Sequence, residues 1–330
     1  MNSLTANPLS LESRFFQFGL IRRLDRWLHV MPHPSTVVEI AADHVAAAHW
    51  GHSHGHVDAC AMEPLQVGSI MASPVETNVT QPDAVRSALR AVFTRVSDHG
   101  APVALLVPDL VVRVFILPFE SLPRRADEAL PVIRWRLKKS VPFDVDDTVV
   151  SWMRQAGPHG NLEVVTAIAR KGILREYEEI VESLGARNCI VLSSALATLP
   201  LLDERGATLL ARMSGKTLTT VVVSGSNLCV YRATDMLADA DMLDPAIILE
   251  EIFPAVAYYQ DTWGGVIDRG RVSGFGSRER KLRESLEQEL KFPVTSLGDS
   301  EGARTLDSPA SDMIHQNLDA LVGWMMNEGA

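Results

Sequence analysis

His52, His54 and His56 alternate with Ser53 and Gly55. In an extended segment that spacing turns all three imidazoles to one side, a donor set suited to Zn²⁺ or Ni²⁺, although a polar hairpin tip uses the same residues. No metal site is assigned on this ground. The run Ser214-Gly215-Lys216-Thr217 ends like a phosphate-binding loop, but Leu210 stands where such a loop needs its first glycine, and a strand pattern rather than a helix follows. It reads as a hairpin turn. Cys60, Cys189 and Cys229 are widely spaced in apolar stretches with no Cys-x-x-Cys pair, which predicts buried thiols in a reducing compartment. Glu178-Glu179 and Glu250-Glu251 fall on helical patterns, where solvated faces account for them. No nucleophile and base set assembles, so no catalytic residue is assigned.

The 330 residues are 46 % hydrophobic, enough to bury a large core, and carry a formal charge of −10. That balance argues against nucleic acid as a partner, because displacing counterions from phosphates needs clustered Lys and Arg. The longest apolar stretch, residues 101–119, is interrupted by Asp109, Arg113 and three prolines. It reads as two strands rather than a spanning helix. Near the N-terminus, Arg14, Arg22, Arg23 and Arg26 are interleaved with apolar residues instead of preceding them, unlike a secretory signal. A cytoplasmic protein is expected.

Around these residues the chain organises as follows. Residues 13–30 place Phe16, Leu20, Leu24 and Trp27 at helical spacing with arginines largely opposite, and Met31-Pro32-His33-Pro34 then breaks the pattern. Such a helix is either a foot on an anionic membrane surface or a partner, or a helix packed on its own domain. From Thr36 a meander of short strands opens the body, followed by helix 81–98, strands 103–107 and 111–117, and helix 124–139. On that last helix Leu130, Ile133 and Leu137 share a core face, leaving Arg134, Trp135 and Lys138 on a more exposed arc. Trp135 either faces solvent or packs against Val141 and Phe143. Strand 163–169, helix 172–184, a strand-to-helix run 188–201 and a second set of strands come next. Helices at 245–263, 278–290 and 311–327 follow. The two halves share an order of meander then helices, the pattern of duplicated α/β subdomains.

Leu117-Pro118, the helix after it, and Val141-Pro142-Phe143 with the acidic turn Asp144, Asp146, Asp147 resemble PilM-type type IV pilus assembly proteins. Those are relatives of FtsA and the actin-like ATPases. The strand and helix 163–186, Ser193-Ser194-Ala195-Leu196-Ala197 and the turn Val272-Ser273-Gly274-Phe275-Gly276-Ser277 extend the resemblance from about Thr36 to Trp324. It implies an α/β fold of the actin-like ATPase (ribonuclease H-like) type, with two related subdomains, an inserted small α+β subdomain and a reduced lid. The corresponding division is 1–34 for the N-terminal helix and linker, 35–118 and 187–206 for the first subdomain, 119–186 for the insertion and 207–330 for the second subdomain.

The resemblance also implies a degenerate nucleotide site. Glu39, Ala41 and Asp43 occupy the first phosphate loop, where the family has Asp-Ile-Gly. Arg212 stands at the aspartate of the second loop, next to Ser214 and Gly215, and an arginine cannot bind Mg²⁺. Gly274, Gly276 and Ser277 form the adenosine turn. The expectation is a scaffold without ATPase activity and without a cofactor beyond weak ATP. It would be peripheral to the inner membrane and would hold the cytoplasmic tail of a PilN-like protein through Arg134, Trp135 and Lys138, with pilus ATPases as further partners. A nucleotide-dependent ATPase of the same fold, or a membrane platform similar to FtsA or GspL, are the alternatives.

Overall fold

The computed structural model describes residues 34–51, 56–96, 102–203 and 205–326. The chain opens with β1 (Thr36–Ile40), β2 (His44–Trp50), β3 (Val57–Pro64), α1 (Pro82–Val96) and β4 (Pro102–Val107). Then come β5 (Arg113–Phe119), α2 (Ala126–Leu137), β6 (Thr148–Ala156), β7 (Leu162–Arg170), α3 (Lys171–Glu182), β8 (Arg187–Ser193) and the short α4 (Ser194–Ala197). The second half holds β9 (Ala207–Ser214), β10 (Thr217–Ser224), β11 (Asn227–Asp235), α5 (Pro245–Trp263), β12 (Arg269–Ser273), α6 (Glu279–Leu290) and β13 (Val294–Ser296). It ends with α7 (Ser308–His315) and α8 (Asp319–Met326).

Two five-stranded sheets have the same design. One has the order β3-β2-β1-β4-β8 and the other β11-β10-β9-β12-β13. In each, the first three strands are antiparallel and the last two run parallel to the first. This duplicated order is that of the actin-like ATPase fold. β1, β9 and β10 read as near-continuous apolar or Thr-rich runs and are buried almost throughout, because helices or the other sheet cover both faces. One core joins the two halves: Val37, Ala104 and Leu192 pack in the same cluster as Leu210, Val221 and Trp324. The other face of the first sheet packs on α1 and α3, and the other face of the second on α5 and α6. Between β11 and α5 the connection 236–244 holds a single 3₁₀ turn, Ala240–Met242.

The third sheet, β5-β7-β6, carries the insertion, with Ile133 and Leu137 of α2 buried against Val150 and Ile168. It also locks onto the second half. The Gln155 side chain pairs with the Leu228 backbone like a strand, its Nε2 donating to the carbonyl at 2.8 Å while its Oε1 accepts from the N–H at 3.1 Å.

Several boundaries differ from those read in the sequence. β5 belongs to the inserted sheet, so the insertion begins at Arg113 rather than residue 119, because its register pairs Arg113–Phe119 with β7 along its whole length. The insertion also ends before α3, whose Ile173, Leu174 and Tyr177 pack on the first sheet. The last helix is two. Asn317 adopts a left-handed conformation (φ 62°) between α7 and α8, and Asn tolerates that region better than most residues. α8 then packs on α4 and β1 of the first half, so residues 319–326 do not belong to the second subdomain. Cys189 and Cys229 are buried, but Cys60 lies on the exposed face of edge strand β3. The N-terminal segment with Phe16, Leu20, Leu24 and Trp27, like His52 and His54, lies outside the described residues. His56 pairs with Asp307 at 3.0 Å. Among the described residues no helix is long and apolar enough to cross a membrane.

Candidate functional site

The C-terminal end of β1 and the end of β9 meet where the two sheets converge. Glu39 points from β1, Arg212 from β9, Asp109 from the 3₁₀ turn after β4, and Asp319 from the first turn of α8. All four side chains are buried. The Arg212 guanidinium grips Asp319 with two bonds, Nε to Oδ2 at 2.9 Å and Nη2 to Oδ1 at 3.1 Å. It also stands 3.5 Å from Glu39 Oε1 and 3.7 Å from Asp109 Oδ2. Burying charges costs several kcal/mol each unless they are paired and hydrogen-bonded, and the forked contact supplies the pairing.

Asp109 and Asp319 are held by further donors, whereas Glu39 Oε2 is buried without a hydrogen-bond partner. Asp109 Oδ1 accepts from the Ala195 N–H at 2.7 Å and Oδ2 from the Thr219 hydroxyl at 2.8 Å. Asp319 Oδ2 also accepts from the Ser273 hydroxyl at 3.2 Å. Burial pushes the Asp109 carboxyl above its ordinary range against the pull of Arg212. Glu39 is held below its ordinary value: burial opposes its charge, but His44 and Arg212 outweigh it. Burial also opposes charge on His44, yet its Nδ1 donates to Asp43 at 2.8 Å and Glu39 lies 3.8 Å from Nε2. Together they push the imidazole up to about 10.

The predicted loop residues gather here. Ala41 is buried, and its N–H closes the β1-β2 turn on the His44 carbonyl at 2.9 Å, while Asp43 is exposed at the turn. Ser214 and Gly215 form the β9-β10 turn, with Gly215 at φ 54°. The two turns touch: a β-carbon at Gly215 would stand 3.2 Å from that of Ala42. Gly274, at φ 83°, lies against β9 so closely that a β-carbon would sit 1.9 Å from the Met213 carbonyl oxygen. Gly276 has φ 50°, and the neighbouring Ser277 hydroxyl donates to Asp241 at 3.0 Å. The sequence reading missed Asp109 and Asp319. Asp319 was hidden inside a continuous terminal helix, and only Asn317 could have signalled the break.

The second predicted group divides. Trp135 is 63 % exposed on α2, with Lys139 Nζ 5.5 Å from its ring centroid, so it does not pack against Val141 and Phe143. Lys138 pairs with Asp146 at 3.2 Å. Arg134 is turned inward instead, its guanidinium donating to the carbonyls of Val145 at 2.6 Å and Thr148 at 3.2 Å. It braces the segment after α2 and is not presented to a partner. Among the described residues no group of three His, Cys, Asp or Glu side chains has the arrangement of a metal site.

No protein-family model and no curated protein sequence matches the chain. Solved structures do. The PilM-PilN type IV pilus biogenesis complex superposes with a TM-score of 0.70 at 16 % identity, over 91 % of this chain and 100 % of that chain. The cytoplasmic domain of EpsL, an inner-membrane component of the type II secretion system of Vibrio cholerae, gives 0.46 at 14 % identity over 72 % and 80 % of the two chains. A Bacteroides thetaiotaomicron protein with an actin-like ATPase fold and unknown function gives 0.45 at 10 % identity over 87 % and 95 %. At these identities the first of the three is a likeness of fold, and it runs through nearly the whole chain.

Proposed function

We propose that the protein is a non-hydrolysing adaptor in type IV pilus assembly that binds the cytoplasmic tail of a PilN-like inner-membrane protein. The observation that carries the first half is Arg212. In this fold a nucleotide's phosphates and Mg²⁺ lie between the two hairpin turns, with acids holding metal and water. Here the guanidinium lies among Glu39, Asp109 and Asp319, and the turns at Ala42 and Gly215 are in contact. A guanidinium among these three acids does not fit a metal-bound phosphate. Arg212 instead acts as a fixed internal cation that ties both halves and α8 together. A scaffold benefits from that, because a rigid platform loses less entropy when a partner binds.

The second half rests on the likeness to the PilM-PilN complex and on Trp135. An exposed tryptophan beside Lys138 and Lys139 is the kind of aromatic anchor that carries much of the energy at protein interfaces. Inner-membrane placement follows from the partner: the adaptor would sit on the membrane because it holds a membrane protein's tail. Calorimetry of the full chain against a synthetic PilN-like tail and against Mg-ATP tests both halves. Tail binding without ATP heat or turnover is expected. Steady hydrolysis that Arg212→Ser abolishes would overturn the first half, and no tail binding the second.

A further inference from the structure

α5 is apolar on both faces. Its inner side, with Ile248, Ile252 and Tyr259, packs on the second sheet. Its outer side shows Ile247, Phe253 and Tyr258, which are 46 %, 53 % and 50 % exposed. Pro254 and Ala257 share that arc, with Glu250 and Asp261 as its charges. Eleven large hydrophobic side chains are exposed among the described residues, and six of them lie between Leu237 and Val266. Scattered singly they would need no explanation, but concentrated in one stretch they mark a surface that is covered in use.

Charge and backbone select what covers it. Residues 235–263 contain seven Asp or Glu and no Lys or Arg. Arg232 of β11 pairs with Glu251 at 2.7 Å, but Glu250 and Asp261 have no cation among the described residues. Pro254 has no N–H, so the Glu250 carbonyl lacks the donor that a helix supplies four residues on. The arc therefore offers acceptors, two carboxylates and a carbonyl, beside the rings of Phe253 and Tyr258. Lys and Arg side chains satisfy such acceptors and also pack on ring faces. A second copy of the same face would bring like charges together, and an anionic membrane surface would be repelled.

The shape of the surface sets the form of the partner. A helix presents no strand edge, so a segment lying on α5 must satisfy its own backbone N–H and C=O groups, as a helix does. From Ile247 to Tyr258 the arc is about 17 Å long, room for the i, i+3 or i+4, and i+7 anchors of one facing helix. We infer that the outer face of α5 docks a Lys- and Arg-rich amphipathic helix of a partner protein, its apolar stripe on Ile247, Phe253 and Tyr258 and its cations on Glu250 and Asp261. Trp135 of α2 takes no part in this surface.

Calorimetry of the full chain tests this with two synthetic helical peptides as probes, one with a Leu stripe and a Lys/Arg polar face, the other with the same stripe and a Glu polar face. The first should bind at least about tenfold more tightly. The chain carries a formal charge of −10, so docking has to be told apart from diffuse attraction. Phe253→Asp with Tyr258→Glu adds two negative charges: diffuse attraction would then tighten, whereas docking on the face should weaken at least about tenfold. Glu250→Gln with Asp261→Asn keeps the apolar arc and should weaken binding about threefold and flatten its salt dependence, a result that stands even if the first variant melts early. Trp135→Ala should leave binding unchanged. Equal affinity for the two probes overturns the inference, as does binding that tightens in Phe253→Asp with Tyr258→Glu or is abolished by Trp135→Ala. A dimer in light scattering that Phe253→Asp with Tyr258→Glu dissociates assigns the face to a second copy. Probe binding that appears only after residues 1–33 are removed assigns it to the chain's own N-terminal segment. Either result overturns the docking of a partner.

Discussion

Arg212 and Asp319, 107 positions apart, form a buried forked ion pair with contacts of 2.9 and 3.1 Å, and it fastens α8 to the end of β9. Removing one partner of such a pair leaves the other charge buried and alone. Asp319→Ala and Arg212→Ala should each cost about 3–5 kcal/mol in urea denaturation, whereas Arg212→Met with Asp319→Leu should cost clearly less than their sum. Strict additivity would mean that the two side chains do not act as a pair.

The charges around Glu39 predict opposite pH limits. The folded-state value of His44 is raised to about 10, so its contribution is fully present below about pH 6.5 and is lost as pH rises through 10. Over that window the unfolded chain has released a proton that the folded one keeps, so stability should fall by up to about 1.4 kcal/mol per pH unit. Glu39 is lowered, so its contribution is present above its ordinary value of 4.5 and is lost as pH falls through its folded value. His44→Gln should flatten the alkaline slope and, because His44 helps to hold Glu39 low, should also shrink the loss at low pH. Denaturation midpoints at a series of pH values measure both.

Trp135 and its surroundings predict a separation of binding from stability. Because the ring is largely in solvent, Trp135→Ala should change unfolding free energy by no more than about 0.5 kcal/mol. It should weaken binding of a PilN-like tail by about 2 kcal/mol, roughly 30-fold. Arg134→Ala should do the reverse and lower the melting temperature, because the Val145 and Thr148 carbonyls lose its guanidinium.

The two glycines after β12 should behave differently. Gly274→Ala places a methyl group 1.9 Å from the Met213 carbonyl oxygen at φ 83°, so β12 must move away from β9, and the fold should be severely destabilised. At Gly276, φ 50°, the nearest atom is 3.5 Å away on Asp241, so alanine should cost only about 1 kcal/mol of left-handed strain. Thermal melts compare the two, and similar losses would show that backbone strain alone sets the cost.

Local signals made much of the architecture legible. The meander Thr36–Trp50, the amphipathic α3, the Gly215 hairpin and the short link before Pro245 follow from side-chain period and turn residues, which act over a few positions. Substitutions at Glu39 and Arg212 were readable too, once the phosphate loops were located by resemblance. Domain edges were not. β5 looks like any other apolar strand, and its choice of β7 as neighbour depends on residues about fifty positions away.

The sequence by itself determined that Arg212 stands where an acid was expected, that residues 235–263 carry only acidic charge, and that Trp135 lies on an arc away from Ile133 and Leu137. Tertiary structure alone decided what Arg212 meets. Glu39, Asp109 and Asp319 are spread over 280 positions, and nothing in the spacing of the chain brings them together. They converge because two sheets and a helix share one core, and in that low-dielectric space a charge persists only where another of opposite sign is packed beside it.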